Sequence, residues 1–589
     1  MPVCNLETDT EVASTITFPQ QDARQEPQSN LQSIERNRRS HARLQSLLIF
    51  AFLLGLALVQ QWHARAFYSE FGWHPDESAH YITGLMVHDY IAAHHFSSPV
   101  AYAENYYLHY PKVALGHWPP FFYALEGAWM LAFSTSRFSM LFLMTCTTAL
   151  LGFLVWRSLR DRVPAAMALV AGLAVVTSSE IQINSSMLMS DMLVALLCLA
   201  AALTFAQYLK TEESGWAVLF GVLSALAFLT KASAICLALV PLAAIAGARK
   251  WHLLRRGSLW SSALIIVVAC GPWYARMNHG NQSTMAQPVI TPDYFFHAAA
   301  FYGIGLAKIA GVAFPALFLA TLSWDEEFSA IDRGLAWSLA GLIGGVILTV
   351  LLIPAALERR YLLPAIPALV ILLCYGCASL RRRAAMIRVR NRIPAVVARL
   401  AIAAIFIAAV VLAPVKGVGG FDQVARRILA DARFHDSISL VASDAVGEGM
   451  FVSDVGMDDK QRPEHIVLRG SKMLADVAWI GRDYRSLFDS PEELLSYLDS
   501  VPVVLVVSDH SMPEHLYLPH EKLLDQAIQK YPSRWRLLSE SSVWRDGVEY
   551  PKALRLYELL GNEGQPHRTI ILDMKRMLQR KLQLRGDRD

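Results

Sequence analysis

Two acidic residues and two histidines lie close together near the start of the chain, in the segment Trp73-His74-Pro75-Asp76-Glu77-Ser78-Ala79-His80. The segment follows the first strongly apolar run, so its carboxyl groups are expected where the chain leaves a lipid bilayer. A carboxylate partly shielded from water can accept a proton from an incoming hydroxyl or amine. We therefore interpret Asp76 as a general base, with Glu77 beside it and with His74 and His80 in support.

Two other roles for this segment stay open. Asp76 could cap a helix that starts here, because an acid favours the helix N-terminal dipole. A divalent cation could also be held by His74, Asp76, Glu77 and His80, although their spacing matches no zinc-site or hydrolase signature. No cofactor is otherwise indicated.

Charged residues recur at the ends of three later apolar runs. Asp191 follows Ser185-Ser186-Met187-Leu188-Met189-Ser190, and it either is solvated or lines a cavity. Lys231 ends Phe228-Leu229-Thr230, either as a lysine that extends to the membrane surface or as a partner for an anionic headgroup. Arg359 and Arg360 lie between Glu358 and Tyr361, where they pair locally with the glutamate or bind a phosphate.

The composition indicates a membrane protein. Of the 589 residues, 54% are hydrophobic and 17% are charged, whereas soluble domains carry about 25% charged residues. The net charge of +3 is too small to suggest a nucleic-acid partner. Six of the seven cysteines lie in apolar stretches, so a disulfide framework is not expected.

The apolar stretches predict about eleven transmembrane helices in the segment 45–414. Residues 1–44 are polar and are expected to be a disordered cytoplasmic N-terminus. A long first outer loop covers 61–137, and its segment 119–133 is expected to lie along the membrane face. With this assignment, the arginine-rich loops around 157–162, 249–256 and 381–392 all fall on the cytoplasmic side, as the positive-inside rule requires.

Residues 415–589 have the alternating pattern of a soluble α/β domain. The segments 437–442 and 503–507 read as buried strands, and 491–498 opens with proline and two acids, as helices do. Eleven spans would place this domain outside the cytoplasm, on the same side as Asp76.

Four motifs in this order resemble the GT-C type polytopic glycosyltransferases, in particular the protein O-mannosyltransferase-like and aminoarabinose-transferase-like families. They are Pro75-Asp76-Glu77, Pro119-Pro120-Phe121-Phe122-Tyr123, Leu229-Thr230-Lys231 and Arg359-Arg360-Tyr361-Leu362-Leu363-Pro364. The resemblance covers roughly 45–415. The chain departs from it at His117-Trp118, where aminoarabinose-transferase-like sequences carry a lysine before the proline. The oligosaccharyltransferase signature is also missing from the tail, so transfer of whole oligosaccharides to asparagine is not expected.

The resemblance implies transfer of a sugar, with inversion, from a polyprenyl-phosphate donor to an acceptor outside the cytoplasm. Asp76 would be the base, and Lys231, Arg359 and Arg360 would hold the donor phosphate. The supporting or substrate-binding candidates are His74, His80, His117, Asp191, Glu358 and Tyr361. The expected partners are the lipid-linked donor, membrane lipids and an acceptor glycan, glycolipid or protein of the cell envelope. The expected location is the bacterial inner (plasma) membrane.

Two other functions were weighed against this one. A transporter or flippase for lipid-linked sugars would carry charges in the middle of its spans and broken helices, whereas the charges here cluster at span ends. A membrane scaffold without catalytic activity would leave Asp76 and Arg359 without a role.

Overall fold

The protein is described from a computed structural model that covers residues 26–94, 98–281, 290–323, 331–386, 394–476, 484–548, 550–562, 570–573 and 581–584. The chain divides into two compact units, 1–52 and 53–589. In the first unit, residues 26–52 belong to helix α1 (Glu26–His63). Residues 26–44, for which the sequence predicts disorder, are the first half of this helix. Residues 1–25 of that prediction lie outside the described residues.

Most of the second unit is helical up to residue 411. After α1 the helices are α2 (Pro75–Ala92), α3 (Pro99–His109), α4 (Phe121–Ala132), α5 (Arg137–Leu159), α6 (Ala165–Val176), α7 (Ser179–Ser185), α8 (Asp191–Thr211), α9 (Ser214–Thr230), α10 (Leu239–Ala248), α11 (Gly257–Asn281), α12 (Pro292–Ser323), α13 (Arg333–Leu352), α14 (Ala365–Met386) and α15 (Ala395–Val411). Short 3-10 helices at Ala232–Ala238 and Arg359–Leu362 precede α10 and α14.

In the described part of the chain, six helices are long and apolar enough to cross a membrane, and the number rises to seven if the bent pair α6–α7 is one span. The protein is therefore an integral membrane protein. The apolar segment Ala165–Ser185 is divided at Thr177–Ser178 into α6 and α7, with a bend of 59° between them. Helix α4 has 12 residues, too few to cross a hydrocarbon core about 30 Å thick at 1.5 Å per residue. The count of eleven stays a prediction.

The residues after 415 form a mixed sheet covered by helices. Its strands are β1 (Ile438–Ala442), β2 (Ile466–Arg469), β5 (Val503–Asp509), β6 (Trp535–Val543) and β7 (Lys552–Leu559), in the order β2-β1-β5-β7-β6. Two small antiparallel pairs are β3 (Ala475–Asp476) with β4 (Arg485–Ser486) and β8 (Ile570–Asp573) with β9 (Lys581–Leu584). The helices are α16 (Phe421–Ala430), α17 (Ala445–Asp458), α18 (Gly470–Met473), α19 (Pro491–Ser500) and α20 (Pro519–Lys530).

Strands β1 and β2 are parallel, and so are β1 and β5, whereas β7 runs antiparallel to both β5 and β6. All five residues of β1 are buried, as expected for a central parallel strand covered on both faces. The two segments predicted as strands are thus neighbours in the centre of the sheet.

Helix α17 packs closely on helix α2 of the first outer loop. A methyl group added at Gly449 would lie 2.2 Å from Ser78 Oγ, and one at Gly456 would lie 2.7 Å from Ile82 Cδ1. Both distances are shorter than van der Waals contact, so a larger residue at either position would require the facing side chain of Ser78 or Ile82 to shift. The tail therefore belongs to the same compact unit as α2, the helix that carries Asp76 and Glu77.

Candidate active site

Asp76 lies in the first turn of helix α2, two residues after the residue that caps the helix. His74 is the N-cap residue, and its Nδ1 accepts a hydrogen bond of 3.1 Å from the Asp76 backbone N–H. Pro75 occupies the first helical position, where its fixed φ is favourable and no backbone donor is lost. The N-cap is therefore His74 and not Asp76, whose carboxylate lies in the first turn, where a negative charge favours the helix dipole.

The carboxylate of Asp76 meets Arg360. Arg360 Nη2 lies 3.2 Å from Asp76 Oδ2, and Arg360 Nη1 lies 3.9 Å from Asp191 Oδ2. The guanidinium also pairs through Nε with Glu358, the residue before the short helix Arg359–Leu362. Arg360 is 9% exposed, so these pairs are only weakly screened by solvent.

Lys231 forms the second cationic position. Its Nζ lies 2.7 and 2.8 Å from the two carboxylate oxygens of Asp191, at the start of helix α8. It also lies 5.2 Å from the centre of the Tyr361 ring, a cation–π contact. Asp191 thus connects Lys231 and Arg360. We call Asp76, Asp191, Lys231, Glu358 and Arg360 the charge cluster.

An apolar cavity of about 290 Å³ opens beside Lys231. Its walls are mostly aromatic and aliphatic and come from the first outer loop and from α11, α12, α13 and the chain around 361. The lining residues include His117, Trp118, Lys231, Tyr274, Tyr302, Val346, Val350 and Tyr361. An apolar cavity with one cation at its wall suits an amphiphilic ligand with an anionic headgroup.

The charges around Asp76 fix its protonation state. Burial by itself would raise the pKa of Asp76, but the positive charges of His74 and Arg360 outweigh this effect and lower the pKa to about 2. Asp76 is therefore a carboxylate at neutral pH.

Two buried histidines near Asp76, His80 and His117, are neutral at pH 7. Burial lowers the pKa of His80 to about 3 and the pKa of His117 to about 4. His80 Nδ1 lies 2.8 Å from the Tyr123 hydroxyl, and its ring stacks on Trp118 at 4.3 Å between centres. His80 therefore orders the aromatic wall of the loop and does not point a free nitrogen at Asp76 through Nδ1.

Glu77 faces away from the charge cluster, so the catalytic role predicted for it does not fit its surroundings. Both its oxygens pair with Lys416 Nζ, at 2.7 and 3.0 Å, and both side chains are fully buried. The same carboxylate accepts hydrogen bonds from the backbone N–H groups of Trp73 (3.0 Å) and Leu188 (3.2 Å). A carboxylate with its lone pairs occupied in this way cannot also accept a proton from a substrate.

The two arginines predicted to bind phosphate occupy different surroundings. Arg359 lies 3.7 Å from Glu180 and 5.7 Å from the Phe301 ring centre, and its side chain is 39% exposed. Arg360 alone of the two contacts Asp76 and Asp191. The predicted pairing of this segment with Glu358 is made by Arg360, whereas Arg359 pairs with Glu180.

The four side chains considered as metal ligands in 74–80 do not gather at one point. Within the described residues, groups of three metal-ligating side chains occur in the tail and not around Asp76. The reason is geometric, because Glu77 turns toward Lys416 and His80 turns toward Tyr123. His74 stays close to Asp76 (3.5 Å) and to Glu358 (3.7 Å), where it supports the charge cluster.

Two kinds of functional residue were missed from the sequence. Lys416, which lies directly after the last apolar stretch, neutralises Glu77 from 339 positions away. The aromatic lining residues Tyr274 and Tyr302 come from helices that read only as membrane spans. A lone lysine directly after a predicted span is a signal that could have drawn attention to Lys416.

Part of the chain matches a known family model. Residues 117–275 match the family model described as dolichyl-phosphate-mannose-protein mannosyltransferase. No curated protein matches the sequence. The family match covers the aromatic end of the first loop, Asp191 and Lys231, and it ends before Arg360.

Among solved structures, the fold is similar to that of ArnT from Cupriavidus metallidurans in the apo state, with a TM-score of 0.52, 13% identity and coverage of 89% of this chain and 100% of ArnT. ArnT bound to undecaprenyl phosphate matches with a TM-score of 0.45, 15% identity and coverage of 87% and 99%. The archaeal oligosaccharyltransferase AglB from Archaeoglobus fulgidus matches with a TM-score of 0.44, 13% identity and coverage of 80% and 70%. The resemblance to GT-C type glycosyltransferases that the four motifs predicted is thus confirmed.

Proposed function

We propose that the protein is a membrane glycosyltransferase that moves one sugar, with inversion, from a polyprenyl-phosphate donor to an acceptor outside the cytoplasm. The observation that carries this proposal is the charge cluster, in which Lys231 lines an apolar, aromatic cavity. One site thereby offers a carboxylate, two cations and space for a lipid-linked group. The donor class follows ArnT, which has been crystallised with undecaprenyl phosphate.

Lys231 and Arg360 are the proposed phosphate ligands. Lys231 has three N–H donors and uses two directions on Asp191, so one remains for a phosphate oxygen. Arg360 presents a planar set of donors that matches phosphate oxygens. Arg359, more exposed and paired with Glu180, would contribute a weaker charge at the entrance. Asp191 and Glu358 keep both cations charged and in place before the donor binds.

Asp76 is the proposed base. The acceptor oxygen bonds to the anomeric carbon while the bond from that carbon to the phosphate oxygen breaks, and polyprenyl phosphate leaves. The acceptor proton passes to Asp76. A carboxylate with a pKa of about 2 is a weak base toward a free hydroxyl, so the proton moves late, when the new bond has made the acceptor oxygen acidic. A phosphate on Arg360 would also weaken the Arg360–Asp76 pair and raise the basicity of Asp76.

The aromatic and aliphatic walls would hold the other parts of the donor. Trp118, Tyr274 and Tyr302 offer flat faces on which a sugar ring can pack, and Val346 and Val350 offer a surface for prenyl units. His117 lines the same cavity at the position where aminoarabinose-transferase-like sequences carry a lysine before the proline. A neutral histidine there would change contacts with the donor headgroup and so the choice of sugar.

The proposed topology follows from the loop charges. The N-terminus lies in the cytoplasm, about eleven spans cross the inner (plasma) membrane, and 415–589 is an extracytoplasmic α/β domain. The acceptor is a glycolipid, a cell-wall glycan or a protein of the envelope, and the tail would help select it. A reporter fused after residue 420 tests the topology, since a cytoplasmic signal there contradicts it.

The activity is tested by incubating the purified full chain in detergent with polyprenyl-phosphate sugars and envelope acceptors, and by measuring release of polyprenyl phosphate. Asp76→Asn should lower the rate by about 10²–10⁴-fold, the usual contribution of general base catalysis. Binding of the donor to this variant should persist, because Lys231 and Arg360 are unchanged.

Glu180→Gln is the matched control. It also removes one carboxylate paired with an arginine of this region, but it is not in contact with the charge cluster. A rate for Asp76→Asn equal to that of Glu180→Gln would refute the proposed mechanism. If the protein moved the donor across vesicle membranes without transferring sugar, the transporter function would be favoured instead. If it showed neither activity, the non-catalytic scaffold would be favoured.

A further inference from the structure

Five metal-ligating side chains meet in the tail, outside the candidate active site. A surface pocket of about 510 Å³ is lined by His435, Asp459, Glu464 and His465, with Arg426 and Lys460 at its sides. Asp436 adjoins it, because His435, Asp436 and Glu464 form one group whose ligand atoms all lie within 4.8 Å of one another. Asp459, Glu464 and His465 form a second such group, and Glu464 belongs to both.

One separation in these groups is close to the edge of a metal coordination shell. His435 Nε2 lies 3.6 Å from Glu464 Oε2, and a tetrahedral zinc ion with ligands at about 2.0–2.1 Å has ligand–ligand edges of roughly 3.3 Å. Asp436 Oδ1 lies 3.5 Å from the other nitrogen of the same ring, Nδ1. Because one ring gives one nitrogen to an ion, Asp436 has to turn from Nδ1 toward an ion bound at Nε2.

His465 has an unused nitrogen. The residue is 7% exposed, its Nδ1 faces Asp459, and its Nε2 is buried with no hydrogen-bond partner. Buried ring nitrogens in proteins normally have a partner. A histidine that meets a carboxylate through one nitrogen and leaves the other unbonded has the arrangement of a metal ligand oriented by a second carboxylate.

Two arginines near the pocket are paired with other carboxylates. Arg426 pairs with Asp422, which lies four positions earlier on its own helix. Arg462 points to the first outer loop, where its Nε lies 2.9 Å from Asp89. The imidazole pair His435 and His465, with ring centres 5.9 Å apart, remains beside the Glu464 carboxylate.

We propose that this pocket binds one divalent transition-metal ion of the zinc type, held by His435, Glu464 and His465, with Asp436 as the fourth ligand and Asp459 orienting His465. Two imidazoles favour zinc over magnesium or calcium, which prefer oxygen ligands. The ion ties the turn before β1 to the turn before β2, since Ile438 and Ile466 start these strands. Asp459 also accepts a hydrogen bond of 2.5 Å from Tyr110 of the first outer loop. The site is therefore structural and independent of the proposed transferase activity.

The test uses the full chain purified in detergent, stripped with a chelator, incubated with ZnCl₂ or with MgCl₂ and then dialysed. Metal content is measured by mass spectrometry and thermal unfolding by intrinsic fluorescence. We expect one zinc per chain, no retained magnesium, and a higher unfolding temperature with zinc, because a ligand that binds only the folded state stabilises it.

His435→Ala is the decisive variant, because its side chain is 50% exposed and its loss should not disturb folding. It should retain at least tenfold less zinc than the wild type, and Glu464→Gln should do the same. His515→Ala, which removes a tail histidine outside the cluster, should bind zinc as the wild type does. The proposal is overturned if the wild type retains no zinc, if magnesium is retained equally, or if His435→Ala and His515→Ala retain the same amount.

Discussion

Two groups of ion pairs in the molecule use the same residue types but differ in how many of their hydrogen-bonding positions are already occupied. At the cavity, Asp76, Arg360, Asp191 and Lys231 form a chain of pairs beside an apolar space. One residue further along α2, Glu77 pairs with Lys416 in a fully buried position where two backbone N–H groups take up its remaining lone pairs. We call this second region the closed pair.

The difference shows how neighbouring acids acquire separate roles. A buried pair whose donors and acceptors are all satisfied contributes to the structure, and breaking it leaves an uncompensated charge. In the charge cluster Lys231 lines the cavity and Arg360 lies next to it through Asp191, so under the proposed function an anionic ligand would bind beside Lys231 without leaving a charge unpaired. The closed pair fixes the start of α2, and this position sets where Asp76 points.

Removing Lys416 should have the largest effect. Lys416→Met leaves Glu77 charged and buried, which typically costs about 3–5 kcal/mol. Stability in detergent, measured by chemical denaturation, should fall by that amount, and transfer should be lost with the folded protein.

The double variant Glu77→Leu/Lys416→Met separates charge from packing. Replacing both partners by apolar residues should recover most of the stability, since no charge remains buried. If Lys416→Met alone were as stable as the wild type, the closed pair would have no structural role.

At the charge cluster, Lys231→Met should act on the donor. A charged hydrogen bond contributes about 1.5–3 kcal/mol, which corresponds to roughly 10–150-fold in the donor Kd. Titration of the purified variant with polyprenyl phosphate measures this change. The control is Lys308→Met, because Lys308 has no contact with the charge cluster among the described residues. If the two variants bound polyprenyl phosphate with equal affinity, Lys231 would not be a phosphate ligand.

Lys112 provides a pH test of the junction between α2 and the tail. Its Nζ donates to the carbonyls of Ala445 (2.9 Å) and Pro75 (3.4 Å), and burial lowers its pKa from 10.5 to about 7. Above pH 7 the unfolded chain binds more protons at this site than the folded one, so stability rises with pH. The gain from pH 7 to pH 8 is about 1 kcal/mol. Denaturation of the wild type and of Lys112→Met at both pH values should show this rise in the wild type alone.

The smallest effect is expected at Arg359. Its pair with Glu180 is partly exposed, and such pairs contribute about 1 kcal/mol or less. Arg359→Gln should therefore change donor affinity by less than about fivefold. Arg360→Gln should lower it by more than tenfold, as measured in the same titration. The reverse order would exchange the roles assigned to the two arginines.

The sequence alone predicted features that depend on residues close together in the chain. His74, Pro75 and Asp76 predicted a helix start, and the structure has one there. The prediction that Asp76, Lys231 and the arginine segment lie on one face of the membrane agrees with their meeting in the structure. A short apolar helix was also correctly distinguished from a span at α4.

What the sequence did not predict depends on contacts between distant parts of the chain. Glu77 looked equivalent to Asp76 because nothing near it reveals Lys416. The break between α6 and α7 follows a run of residues as apolar as any span, and hydropathy carries no signal for a bend. The pocket at His435 joins two turns that are adjacent only because β1 and β2 pair.

The closed pair also constrains how this protein can be divided. Lys416 lies at the start of the tail, and its backbone N–H and C=O are bonded to Ala64 O and Ser69 Oγ of the first outer loop. A truncation that ends at residue 415 would leave the Glu77 carboxylate without its cation. A chimaera whose tail comes from another protein and has no equivalent lysine would do the same. The segment 53–411 and the tail therefore depend on each other through this pair. A chimaera that exchanges the tail should keep Lys416 together with Glu77.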